Sequence, residues 1–343
     1  MTANKSIQQV LAKYPRNELI RTPTPLVHLK HLSERLDVDL FIKRDDLTDL
    51  ALGGDKPRKL EYETAKAIAQ GTTVLVTCGS AQSNHARLTT AAAKKLGLKC
   101  ALVLSSDGSK AFQSNLLTVY LMGAEVRFVE TKDHWDLESH ALAFCEELRL
   151  RGERPYYIPV SGTTATGCLG YVRAGLELVD QFEAQDVRPN AVYTPFGTGG
   201  IFTSTLLALR ERGVECPLIG ISVNACQETC EENLAKWWTG VCRLLDVDPT
   251  RSRGGYEIHD GYIGREYGDA TEGCLDGLML MAETEGILLD PVYTAKVFSH
   301  HAAGRWPSGT RLVFIHSGGT PALFAYHDQI KEHLIKRGRI IDA

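Results

Sequence analysis

A chain of 343 residues is long for one core, and at roughly one domain per 150 residues it points to two lobes. Apolar residues at 43% and charged residues at 23% are enough to build a buried core, which excludes a disordered or fibrous chain. A net charge of −4 with no long basic run excludes the extended phosphate-neutralising surface that nucleic acids require, so any anion site should be local. The first residues carry no continuous apolar segment of the signal-peptide kind. No later stretch approaches the roughly 18 apolar residues of a spanning helix, so a cytoplasmic protein with neither nucleic-acid nor membrane partners is expected. Nine cysteines, an odd number in a large chain, read as reduced thiols. Cys226 and Cys230 can share a helix face, but no second pair completes a zinc site, so no metal is expected.

In chain order, apolar and β-branched runs predict strands at Leu40 to Lys43, Thr73 to Thr77, Cys100 to Leu104, Glu125 to Val129, Ala191 to Tyr193, Leu218 to Val223 and Leu312 to His316. Helical periodicity fills the gaps. It runs over Tyr62 to Ala69, Ala86 to Leu96, Ser114 to Met122, Leu137 to Arg149, Leu169 to Phe182, Phe202 to Arg212 and Thr271 to Glu285. This alternation implies mostly parallel sheets in a doubly wound α/β architecture, with ligands collecting where strand ends lead into helix starts. The pattern breaks from Arg151 to Pro159 before a small-residue run, Ser161 to Gly170, which suggests a seam. We therefore expect a smaller lobe at residues 59–175 and a larger one from residues 1–58 and 176–343.

Four segments carry chemistry. The loop Leu52-Gly53-Gly54-Asp55-Lys56-Pro57 presents a lysine on a turn, with glycines for close approach and Pro57 suited to a first helical turn. An amine held in a cleft can form a Schiff base with an aldehyde cofactor, although Lys56, Arg58 and Lys59 also read as an exposed basic turn. The run Gln82-Ser83-Asn84-His85 opens a helix after a buried strand, where Ser83 or Asn84 can cap it and free N–H groups suit a substrate carboxylate. Phe196-Gly197-Thr198-Gly199-Gly200-Ile201 is an anion cradle or a tight packing turn. It lacks the spacing of the dinucleotide fingerprint and the lysine of a P-loop, so a monophosphate fits better than NAD or ATP. The fourth comprises Tyr267, the run Asp290-Pro291-Val292-Tyr293-Thr294 and Ser317-Gly318-Gly319. These are hydroxyl-bearing turns that also read as core tyrosines and, for Ser317, as a cap on the last helix.

Taken together and in this order, the lysine turn, the Gln-Ser-Asn helix start, the glycine loop, EGILLDPVYT and HSGGTPALFAY resemble the fold-type II pyridoxal-phosphate enzymes, specifically the D-cysteine desulfhydrase and 1-aminocyclopropane-1-carboxylate deaminase family. The resemblance begins at Arg21-Thr22-Pro23 and covers nearly the whole chain. It implies two open-sheet domains of the tryptophan synthase β kind with pyridoxal 5′-phosphate in the cleft between them, and a homodimer. By the same resemblance Lys56 carries the cofactor, and Gly197, Thr198, Gly199, Gly200 and Ile201 grip its phosphate. Asn84 bonds the ring 3′ oxygen and Ser317 neighbours the ring nitrogen. Ser83 touches the substrate carboxylate and assists proton transfer, Gln82, His85 and Thr163 join the substrate side, and Tyr267 and Tyr293 are active-site tyrosines.

The implied reaction exchanges Lys56 for the substrate amine, removes the α proton with the cofactor as electron sink and expels the β substituent, leaving pyruvate and ammonium. Ring-opening deaminases of this family carry an acid after the second tyrosine, where Thr294 stands, so D-cysteine or a β-substituted relative such as cysteate leads. 1-Aminocyclopropane-1-carboxylate deamination and L-cysteate sulfo-lysis are the alternatives, followed by racemisation, β-replacement and a non-catalytic cofactor-binding role. Three departures stand out. Asp55 replaces the family's Asn and sets a negative charge beside Lys56, Ser161-Gly162-Thr163-Thr164 replaces Gly-Gly-Ser-Asn, and Phe196, Ile201 and Phe202 add bulk around the glycine loop.

Overall fold

The computed structural model describes residues 6–106, 112–131, 136–304 and 306–340. Residues 1–5, part of the segment read above for a targeting signal, lie outside it. The strands are β1 Leu26–His28, β2 Asp39–Arg44, β3 Val74–Ser80, β4 Lys99–Ser105, β5 Glu125–Val129, β6 Pro155–Tyr157, β7 Ala191–Phe196, β8 Leu218–Ser222, β9 Tyr256–His259 and β10 Arg311–His316. The helices are α1 Ile7–Leu11, α2 Lys30–Leu36, α3 Lys56–Ala69, α4 Asn84–Lys95, α5 Ser114–Leu121, α6 Asp136–Leu150, α7 Ala165–Ala184, α8 Gly200–Glu211, α9 Gln227–Leu244, α10 Glu272–Glu285, α11 Thr294–Ala303 and α12 His327–Lys336.

The strands form two sheets, one ordered β1-β2-β10-β7-β8-β9 and a smaller one ordered β5-β4-β3-β6. Every pairing is parallel except β1 with β2. Central strands such as β7 are buried along their length because helices cover both faces. On one face of the larger sheet Leu169, Val172, Leu206, Leu234 and Trp238 of α7, α8 and α9 pack together, and on the other Leu278, Met281, Val297 and Phe298 of α10 and α11 do so. The smaller sheet is likewise covered on both sides, by Leu60, Leu88 and Leu116 of α3, α4 and α5 on one face and by Leu137 and Phe144 of α6 on the other.

All seven expected strands are present, and three more were not expected. β1, β6 and β9 have only three or four residues, too few for alternation to show. β6 lies within Arg151 to Pro159, where the sequence pattern breaks. It is an edge strand beside β3 and opens with a proline, which edge positions tolerate. Helix α9 also lies outside the predicted elements, although Cys230, Leu234, Trp238, Val241 and Cys242 recur at helical spacing. The expected lobe limits fall inside α3 and α7, and α7 packs as one unit into the core of the larger sheet from Cys168 to Phe182.

Candidate active site

The chain reaches Lys56 through a strained turn. Ala51, Leu52, Gly53 and Gly54 all have positive φ (41°, 70°, 72° and 126°), and a Cβ at Gly53 would lie 1.9 Å from the Asp46 carbonyl oxygen, so only glycine fits there. Lys56 is not on the turn itself, as the sequence suggested, but opens α3, with Pro57 in the first turn. Its amine donates to both carboxylate oxygens of Asp55, at 2.8 and 2.7 Å, and lies 5.9 Å from the centre of the Tyr293 ring. Beneath it the basic run is buried, not exposed. Arg58 donates to Asp45 from Nε and Nη2, both at 2.8 Å, and to Glu177 at 3.0 and 2.9 Å. Lys43 joins Glu177, and Tyr171 donates to Asp45 at 2.7 Å. Burial alone raises the pKa of Asp45, but the guanidinium outweighs it and brings the group down to about 2. Two cations and two carboxylates from β2, α3, α7 and the turn after β2 thus fix the helix on which Lys56 sits.

The second wall is the start of α8. Gly199 takes a left-handed φ of 85°, and a Cβ on Gly200 would lie 2.9 Å from Lys59 Nζ and from Thr163 Cγ2. Lys59, one turn after Lys56, is buried and donates to Thr163 Oγ1 at 2.8 Å and to the Ser161 carbonyl at 3.2 Å. Burial, with the nearby Lys56 charge, pushes its pKa down to about 8. The Thr163 and Thr198 hydroxyls lie 2.6 Å apart, so Thr163 braces the glycine loop and does not line the pocket.

The third wall is the start of α4. Ser83 is the cap, its Oγ accepting the Ala86 N–H at 3.1 Å, and Asn84 at the first helical position lines the pocket. Gln82 and His85 do not line it. The Gln82 side chain faces the Leu116 N–H at 3.4 Å, while His85 is buried, with burial first and then the Lys56 and Lys59 charges keeping its ring neutral.

Tyr293 and Tyr267 meet hydroxyl to hydroxyl at 2.5 Å. Burial, then the Tyr267 neighbour, pushes the Tyr293 phenol well above its usual pKa, so it keeps its proton. Its position follows from Asp290, which is buried and accepts the N–H groups of Val292, Tyr293 and Thr294, each at 2.9 Å, and the Thr294 hydroxyl at 2.7 Å. Ser317 follows β10 and lines the pocket, its carbonyl accepting the Asp55 N–H at 2.9 Å. It is not the helix cap considered from the sequence, because Gly319 precedes the 3₁₀ turn Thr320–Tyr326.

One pocket therefore brings together Lys56, Asn84, Gly197 to Ile201, Tyr293 and Ser317. Ser161 also lines it, at a non-glycine φ of 66°. The residues fit a phosphorylated aldehyde. A buried amine stands at one end, and at the other a helix start whose glycines leave no room for side chains stands beside a buried cation. Sequence reasoning missed Lys59 as a pocket residue, and it missed Asp45, Glu177, Asn115 and Asp290 as supports. Lys59 alone left a signal, its i,i+3 spacing from Lys56. All nine cysteines are free thiols, and among the described residues no group of three or more His, Cys, Asp or Glu side chains is placed to hold a metal, and no helix is long and apolar enough to cross a membrane.

Comparison with known proteins agrees with this geometry. A protein from Pyrococcus furiosus, provisionally named 1-aminocyclopropane-1-carboxylate deaminase, is 36% identical over 96% of this chain and 99% of its own. The D-cysteine desulfhydrase of Serratia proteamaculans is 35% identical over 95% of this chain and 100% of its own. The crystal structure of an ACC deaminase homologue superposes with a TM-score of 0.88 at 36% identity, covering 97% of this chain and 100% of the other. Residues 18–318 match the family described as pyridoxal-phosphate dependent enzyme, which makes pyridoxal 5′-phosphate the cofactor, and the chain belongs to that family in its fold-type II architecture.

Proposed function

We propose that this chain is a pyridoxal-phosphate-dependent lyase that removes the β substituent of a small amino acid, D-cysteine or a close analogue such as cysteate, to give pyruvate, ammonium and the leaving group. The observation that carries this reading is that the Lys56 amine and the glycine loop open onto one pocket. The substrate class rests on relatives named D-cysteine desulfhydrase. Thr294 supports elimination over ring opening. Its hydroxyl is committed to Asp290, and no acid stands at that position.

When bound, the cofactor supplies the electron sink that makes the substrate α carbon acidic. Lys56 would carry it and, once released, would hold a proton on Nζ with Asp55 as counter-charge. Gly197 to Ile201 would hold its phosphate through main-chain N–H groups, with Lys59 as the nearby cation. Ser83 has its Oγ lone pair occupied by Ala86 and keeps its O–H for a substrate carboxylate beside the N–H groups of the first turn of α4. Tyr293, protonated and paired with Tyr267, offers Oη as the donor to a departing thiolate. Ser317, which lines the pocket, would offer the cofactor ring a neutral hydroxyl and not a carboxylate.

We further infer a cytoplasmic homodimer, for which an exposed groove containing Leu47, Leu52, Leu288 and Phe324 is a suitable face, and lobes divided near residues 58 and 175. The test is a substrate panel scored for ketoacid and leaving group, with borohydride fixation of the cofactor and peptide mapping. Pyruvate and sulfide from D-cysteine with the label on Lys56 are expected. Ammonium and a ketoacid from 1-aminocyclopropane-1-carboxylate alone, or no label on Lys56, overturns the reading.

A further inference from the structure

Behind Asn84 lies a buried chain of hydrogen bonds whose members, Arg87 and Asn115, do not line the pocket. Arg87 is fully buried and forms no salt bridge within 4 Å among the described residues. Its Nη1 and Nη2 donate to the carbonyls of Ala51 and Gly53, the latter at 3.0 Å, and so clamp the strained turn that leads to Lys56. Its Nε donates to Oδ1 of Asn115, also fully buried, at 2.7 Å. Asn115 Nδ2 donates to the Gln82 carbonyl and to Asn84 Oδ1, both at 2.8 Å.

The direction of this chain follows from chemistry alone. A guanidinium only donates, so the Asn115 oxygen must face Arg87. A main-chain carbonyl only accepts, so the Asn115 nitrogen must face Gln82 and, with it, Asn84. That nitrogen leaves the Asn84 amide one choice, its oxygen turned inward. The Asn84 Nδ2, which has no hydrogen-bond partner among the described residues, is then the end presented to the pocket.

We propose that Arg87 and Asn115 are positioning residues that set the polarity of the Asn84 amide, so that the pocket presents an N–H donor beside Lys56 and selects an occupant with an acceptor oxygen next to the carbonyl that Lys56 captures. This rests on the cofactor reading above. In pyridoxal phosphate that acceptor is the ring hydroxyl oxygen on the carbon adjoining the aldehyde-bearing one. A carboxamide turned the other way would set two acceptors against each other, so the buried pair acts on cofactor recognition without touching the cofactor.

The experiment compares equilibrium affinities of the protein, freed of cofactor, for pyridoxal phosphate and for its 3-deoxy analogue, in which the ring hydroxyl is replaced by hydrogen. Asn115→Asp keeps an acceptor for Arg87 but has no N–H for Asn84, so the Asn84 amide turns over. The wild-type preference for pyridoxal phosphate should shrink by about tenfold or more in Asn115→Asp, since a hydrogen bond is lost and an acceptor–acceptor repulsion gained. Asn84→Ala should lose the same preference, and the double variant no more than either. A purely structural role for Asn115 would weaken both ligands by one common factor and leave the preference intact, which overturns the proposal. The preference surviving in Asn84→Ala overturns it even if Asn115→Asp fails to fold. Wild-type protein that binds neither compound and takes no borohydride label on Lys56 overturns the cofactor reading as well, which separates the two failures.

Discussion

Two helix starts face each other across the pocket, and they are built on opposite principles. The start of α3 works by side chains. Lys56, Arg58, Lys59, Glu61 and Glu63 are all buried, and each has found a partner on another segment or, for Lys56, on the preceding residue. The start of α8 works by their absence, with glycines baring main-chain N–H groups of the kind that suit an anion. A buried charge network fails when one member is deleted, because the survivor is left without solvent or partner. A glycine cradle fails when one atom is added. The contrast can be broken or sharpened experimentally.

Deleting the amine should have the largest effect. Lys56→Ala is expected to lower pyruvate release on the order of 10³-fold or more, with no borohydride-fixed cofactor. Full activity in that variant would remove the lysine from the mechanism.

The network beneath should matter next, and through stability. Arg58→Met leaves Asp45 and Glu177 facing each other in the interior with only Lys43 between them, at a cost of roughly 3–5 kcal/mol in urea unfolding at pH 7. The pH dependence has a defined sign. The folded pKa of Asp45, about 2, lies below its unfolded value of about 3.9, so its contribution is present above pH 4 and fades as pH falls toward 2. The gap between wild type and Arg58→Met should therefore narrow in acid. A gap that is constant from pH 7 to pH 3 would show that the guanidinium acts by packing and not by charge.

At the other helix start the comparison becomes one of added atoms. Gly200→Ala places a methyl 2.9 Å from Lys59 Nζ, and we expect about tenfold weaker cofactor binding with a loss of roughly 1 kcal/mol in stability. Gly197→Ala meets nothing closer than 3.8 Å, so its unfolding midpoint should stay within about 0.5 kcal/mol of wild type. Equal destabilisation by the two variants would contradict the geometry of the loop.

The same contrast explains what could be read from the sequence. The glycine loop, the Gln-Ser-Asn helix start and the buried strands are local signals, each visible within about ten residues, so the fold class and most of the pocket wall were legible. The basic turn was not. Whether Arg58 is exposed or buried depends on Asp45, 13 residues away, and on Glu177, 119 residues away, and no periodicity encodes such pairings. His85 misled for the converse reason. Its neighbour Asn84 lines the site, but the helical turn that aims Asn84 at the pocket aims the next residue into the core. Asp290 was hidden because a carboxylate in a Pro-containing turn reads as an ordinary loop residue until three N–H groups are seen to point at it.

The smallest effect tests whether the two helix starts share one ligand. Lys59 belongs to α3 by sequence but lies against the glycine loop, and its folded pKa of about 8 is below the unfolded value of about 10.4. Between those values the unfolded chain binds more protons than the folded one. Stability therefore rises with pH across that window, and the full cost of burying the ammonium is felt below pH 8. Binding of a phosphate runs the other way, because only the charged amine attracts it. The affinity of the cofactor-free protein for pyridoxal phosphate should fall roughly fourfold between pH 7 and pH 8.5 as Lys59 loses its proton. Lys59→Gln should bind more weakly at pH 7 and show no such alkaline decline, with titration of the cofactor followed by its visible absorbance. An identical alkaline decline in that variant would mean that the amine beside the glycines does not sense the phosphate, and that the two helix starts, though they share a pocket, do not share its anion.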